Sequence, residues 1–139
     1  MKQFQSLASA MIEAMEEHAL KLGVKGVIVV AGMDSSGGAW ESSMKAVKAI
    51  KSIAEDPKKS EYPGYNFIGI AYSKAAEMAD TRINSGSKVR PPYQGEYGFQ
   101  GGSIRKTAEG YLLAVFSGAT GEQDFEIAEK GIEAFERMR

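Results

Sequence analysis

The sequence predicts one compact α+β domain, and three observations predict it. The chain has 139 residues, 43% hydrophobic and 25% charged, the size and balance of one globular domain with one core. Both ends carry apolar residues at spacings of three and four, the period of an amphipathic helix. Between them lie a Val- and Ile-rich run and two short apolar runs joined by Glu109-Gly110, the patterns of a buried strand and a hairpin.

Taken in order, residues 3–22 form a helix with Phe4, Leu7, Ala8, Met11, Met15, His18 and Leu22 on one face, stopped by Gly23. Val24 to Ala31 is a strand, and Gly32 to Gly38 a turn. From Met44 a helical period returns. Met44, Val47, Ile50, Ile53 and Ala54 share a face, Lys45, Lys48 and Lys51 the opposite one, with Ser42 or Ser43 as cap and Asp56-Pro57 as end. A polar loop spans 56–65. Phe67 to Ile83 has the spacing of another helix, although its first part, Asn66 to Tyr72, carries a strand signal too. Ser85 to Gly102 is irregular, with Pro91 and Pro92 and several Gly interleaved with Tyr93, Tyr97 and Phe99; so long a loop in a compact domain is usually functional or mobile. Ser103 to Lys106 and Tyr111 to Ser117 are the arms of the hairpin. Thr120 and Gln123 open a capping box for a helix to about Arg137, with Phe125, Ala128, Ile132 and Phe135 facing inward. No repeat, low-complexity tract or linker divides residues 1–139.

The 17 basic and 18 acidic side chains leave a net charge of -1, without the cationic surplus that nucleic-acid binding needs. The absence of Cys excludes disulfides, thiolate metal sites and Cys nucleophiles, and fits a cytoplasmic location. Met1 to Gln5 lacks a signal-peptide pattern, and the run Val27 to Ala31 is too short to span a bilayer, so no membrane partner is expected. Gly32 to Gly38 lacks the Lys-Ser/Thr of a phosphate loop.

Three segments resemble the GlcG/HbpS family of haem-binding-type proteins, which includes the C-terminal domain of PduO. One is Gly101-Gly102-Ser103-Ile104-Arg105 followed by Ala108-Glu109-Gly110-Tyr111-Leu112-Leu113-Ala114-Val115. Another is Ser117-Gly118-Ala119-Thr120-Gly121-Glu122-Gln123-Asp124. The third is Ile70-Ala71-Tyr72-Ser73-Lys74-Ala75. The resemblance implies a profilin-like fold, an antiparallel sheet flanked by helices, together with homo-oligomers and links to haem, glycolate or corrinoid metabolism. The family shows a strand after the first turn, where this chain has a helical pattern from Met44, and residues 54–65 look like an insertion.

His18 is the one His of the chain. A neutral imidazole on an apolar face can ligate haem iron, and Glu17-His18-Ala19-Leu20-Lys21-Leu22-Gly23 resembles the helix end of the PduO domain in which a His is implicated as ligand. The plainer alternative is a half-buried His bonded to a carbonyl or a Glu. Tyr93, Tyr97 and Phe99 are candidates to stack on a planar cofactor; alternatively their loop buries its own aromatics or meets a second subunit. Arg82, Lys88, Arg90 and Arg105 are the cations available to haem propionates. The Met residues are read as core filler. The expected function is therefore non-enzymatic binding of haem or a related tetrapyrrole. An enzyme or accessory acting on a small hydroxy acid, and a structural oligomer without ligand, are the alternatives.

Overall fold

The computed structural model describes residues 4–138. Helix α1 (Phe4–Leu22) leads into β1 (Gly26–Asp34) and β2 (Trp40–Val47), then a small ribbon of β3 (Lys51–Ile53) and β4 (Gly64–Asn66). Helix α2 (Phe67–Thr81), strands β5 (Gly102–Lys106) and β6 (Gly110–Ser117), and helix α3 (Gly121–Arg137) complete the chain. The main sheet is antiparallel in the order β2-β1-β6-β5, so the architecture is the α+β one expected. Among the described residues no helix is long and apolar enough to cross a membrane.

Side-chain alternation along β1 sorts the core into two halves. Ile28 and Val30 join Leu112, Ala114 and Phe116 under α1 and α3. Val27, Val29, Ala31 and Met33 join Leu113 and Val115 under α2. Because β1 and β6 are central strands covered on both faces, they read as continuous apolar runs.

The helix expected from Met44 is a correction. Residues 40–47 form β2, paired with β1 from Met33↔Trp40 to Gly26↔Val47, and Lys48 then turns the chain with φ 68°. The apolar residues that mimicked a helical face, Met44, Ile50 and Ile53, are exposed, so no core constrained their spacing. The strand signal over Asn66 to Tyr72 resolves differently. β4 ends at Asn66, whose side-chain oxygen accepts from the N–H groups of Ile68 and Gly69 and caps α2. The capping box at α3 forms as expected, with Thr120 Oγ1 accepting from Gln123 N and Gln123 Oε1 from Thr120 N. Phe125 is only half-buried; Asp124 and Ile127 take the inward positions beside it.

Candidate functional site

α2 carries Phe67, Ala71, Lys74, Ala75 and Met78 at spacings of three and four, which puts a lysine on the stripe that faces the sheet. Lys74 and Asp124 of α3 are buried together, their side chains 2% and 5% exposed. Lys74 Nζ donates to Asp124 Oδ2 at 2.9 Å and to the Phe116 carbonyl at 2.8 Å. Asp124 Oδ1 accepts from Ala119 N at 2.9 Å. Burial pulls each partner toward its neutral form, Lys74 downward and Asp124 upward, and the opposite charge works against that pull in both. Gly101 completes the junction. It has φ 130°, and a Cβ there would stand 2.5 Å from Lys74 Nζ and 2.7 Å from Asp124 Cβ. The three segments singled out in the sequence thus meet at one point, where a buried ion pair fastens α2 to the α3 start and the end of β6, with Gly101, just before β5, packed against it.

This junction lines a cavity of about 390 Å³. Its apolar wall is Tyr65, Phe67, Ile70 and Phe99, and its polar end is Lys25, Lys74, Ser117 and Asp124. An ammonium has three donors, and two are used; the third has no acceptor among the described residues. On the other side of Phe99 lies a second cavity of about 690 Å³, lined by Glu77, Thr81, Tyr97 and the segment 88–92. Phe99 belongs to the wall of both cavities. Its ring stacks on Tyr97, with centroids 5.4 Å apart and planes at 15°.

The loop that carries these rings is braced at both ends. Gly86 N donates to the buried Glu77 at 2.8 Å, and Gly102 N to Ser85 Oγ at 2.9 Å. Arg90 bridges Asp80 and Glu96 through four hydrogen bonds of 2.8–3.0 Å and lies 3.6 Å over the Tyr93 ring. The two carboxylates hold the Arg90 guanidinium well above its ordinary value, and Arg90 in turn holds Glu96 below the usual carboxylate range.

The residues named from sequence do not converge. Tyr97 and Phe99 line the cleft on the α2 side, while Tyr93 sits under Arg90 as part of the brace. Arg90 is engaged, and Arg82 is folded back over Tyr111 with bonds to the Ala79 and Ser35 carbonyls. Of those cations, Lys88 alone lines the cleft without a partner among the described residues. Arg105 turns to the opposite face, to Glu129 and Glu136 of α3, each at 3.3 Å. His18 also lies on that face. Its side chain is 19% exposed, and Nε2 is bonded to the Glu126 carboxylate of α3. The groove beside it is lined by Ala14, Glu17, Lys21, Lys130, Glu133 and Arg137, mostly charged side chains. Within one chain His18 and the aromatic loop stand on opposite sides of the sheet and cannot share a ligand.

Sequence reasoning passed over Lys25, Tyr65 and Phe67 as site residues because only the fold of the 51–66 ribbon and the β6–α3 turn brings them together. Lys74 did leave a signal, a charged residue in the middle of an apolar helical stripe, which requires a buried partner.

No family model and no curated protein matches the chain. A solved structure similar to it is that of the Klebsiella pneumoniae protein ORFY, described under the family model DUF336. The TM-score is 0.67 at 18% identity, covering 96% of this chain and 90% of that one. DUF336 is the GlcG-like family, so this likeness supports the resemblance seen in the sequence at the level of the fold. The three helices and four-stranded antiparallel sheet are consistent with a profilin-like architecture.

Proposed function

We propose that this protein binds a flat organic anion in the cleft divided by Phe99. The observation that carries the reading is that Phe99, stacked on Tyr97, forms a wall of both cavities. A planar molecule lying along this aromatic ridge gains stacking and apolar burial, while Lys25 and Lys88 stand at its two ends for carboxylates. Tetrapyrroles, haem among them, are the large members of this class. The cleft contains no His, so it favours the ring system and its carboxylates rather than the iron.

Two titrations test this, one with haemin and one with iron-free protoporphyrin, each followed by absorbance. Both are expected to saturate. Phe99→Ala is expected to weaken both by about tenfold, the worth of a lost stacking contact with its buried area, and His18→Ala to change neither. Haemin binding that is lost in His18→Ala and kept in Phe99→Ala would transfer the site to the α1–α3 groove. No saturable shift with either porphyrin would end the tetrapyrrole reading.

A second reading rests on the smaller cavity alone. About 390 Å³ with an apolar wall and a lysine-bearing end suits a small carboxylic acid, including the hydroxy acids expected as an alternative. Thermal-shift measurements against such acids test it. Stabilisation that disappears in Lys25→Ala supports it, and a flat response across the panel removes it.

A further inference from the structure

We propose that β2 is the edge through which two copies of this chain pair, joining their main sheets into one of eight strands. Among the described residues, β2 has β1 on one side and no strand on the other. It is eight residues long and contains neither Pro nor Gly. Edge strands are commonly blunted by shortness, Pro, bulges or like charges, because their unpaired N–H and C=O groups otherwise recruit another strand. β2 is neither short nor broken by Pro, and the two charges it carries, Glu41 and Lys45, are of opposite sign and point to a definite partner.

The register with β1 fixes the faces. Glu41, Ser43 and Lys45 stand opposite Gly32, Val30 and Ile28, on the α1 side. Lys45 confirms this by bonding Glu16 of α1 at 2.9 Å. Trp40, Ser42, Met44 and Ala46 stand on the α2 side, opposite Met33, Ala31, Val29 and Val27. α2 packs over β1, β6 and β5, and meets β2 through the Tyr72 hydroxyl, 3.4 Å from Ser42 Oγ. Trp40 and Met44 are accordingly left 40% and 37% exposed.

A second copy is the occupant that complements this edge. Antiparallel pairing about a two-fold axis at Ser43 sets Glu41 opposite the partner's Lys45, and Lys45 opposite the partner's Glu41. The same register sets Trp40 opposite the partner's Ala46 and Ser42 opposite the partner's Met44, extending the apolar flank across the join. Glu41 has no bond within the described residues, and Lys45 would lie between Glu16 and the partner's Glu41. Moving the axis one residue either way, to Ser42 or to Met44, loses both ion pairs. Moving it two residues sets Glu41 against Glu41, or Lys45 against Lys45. The charges therefore specify one register and penalise its neighbours.

Trp40 is the one tryptophan of the chain and lies on this edge, so its emission reports the contact directly. The wild type is expected to dimerise with rising concentration by light scattering, with a parallel blue shift of Trp40 fluorescence. Glu41→Lys alone and Lys45→Glu alone put like charges opposite each other twice, and each is expected to weaken the dimer by about tenfold or more. An equimolar mixture of the two variants restores both attractions, and is expected to pair about as tightly as the wild type. Circular dichroism checks that each variant is folded. A wild type that stays monomeric, variants that assemble unchanged, or a mixture that fails to pair would each overturn the proposal.

Discussion

On one face of the sheet α1 and α3 lie side by side, α1 over β1 and β2 and α3 over β6 and β5; on the other, α2 packs over β1, β6 and β5. The paired helices seal Met11, Met15, Ile28 and Phe116 completely. The face with α2 leaves room around it, and there lie the aromatic cleft, the exposed flank of β2 and the small β3–β4 ribbon. One sheet thus serves two ends. Its closed face supplies packing, and its open face supplies surfaces that other molecules can reach. The His18 groove belongs to the closed face, and its surroundings are those of a solvated seam between two helices.

The Lys74–Asp124 pair joins the two faces, and breaking it should have the largest effect. Asp124→Ala leaves a buried ammonium unpaired and is expected to cost about 3–5 kcal/mol in denaturant unfolding. Lys74→Met combined with Asp124→Leu removes both charges and should cost clearly less. Equal losses would mean that the pair acts through its shape rather than its charge.

Methionines on the two faces sharpen the contrast. Met15→Ala, at a fully buried site against α3, is expected to cost about 2–5 kcal/mol. Met44→Ala on the open flank of β2 should stay within about 0.5 kcal/mol for the monomer. Unfolding monitored at low protein concentration compares them, and similar losses would break the contrast.

Acid should loosen the open face first. Hydrogen bonds from Arg90, helped by the Tyr93 N–H, hold Glu96 below its ordinary value of 4.5. Because the folded value is the lower one, the stabilisation is complete above 4.5 and disappears as the pH falls through the folded value. Pepsin is expected to cut within 85–99 increasingly as the pH drops through that window, while α1 and α3 stay intact. Glu96→Gln should flatten this dependence. Cutting that starts equally in α1 would show that the brace does not control the loop.

The particular elements show why some of this was legible in the sequence. α1, the β5–β6 hairpin and α3 each combine a strong period with explicit end signals, such as Gly23 and the Thr120 capping box, and they form where the sequence places them, while β1 runs from Gly26 to Asp34, three residues into the turn expected from Gly32. β2 failed because an exposed edge strand carries no core-facing alternation to read. At the site, the aromatic loop was visible from composition alone, and two of its three rings do line the cleft. His18 was visible too, but its spacing on α1 could not say that α3 would place Glu126 against it.

By itself the sequence determined the elements whose stability is local: helix periods, caps, a hairpin turn and two apolar strands. These depend on contacts a few residues apart, so the chain spells them out. The tertiary structure alone decided that residues 74, 101 and 124 meet, that His18 and Phe99 part to opposite faces, and that β2 stands uncovered at an edge. Those outcomes depend on how the layers stack and on which strand comes last, and no spacing along the chain encodes either.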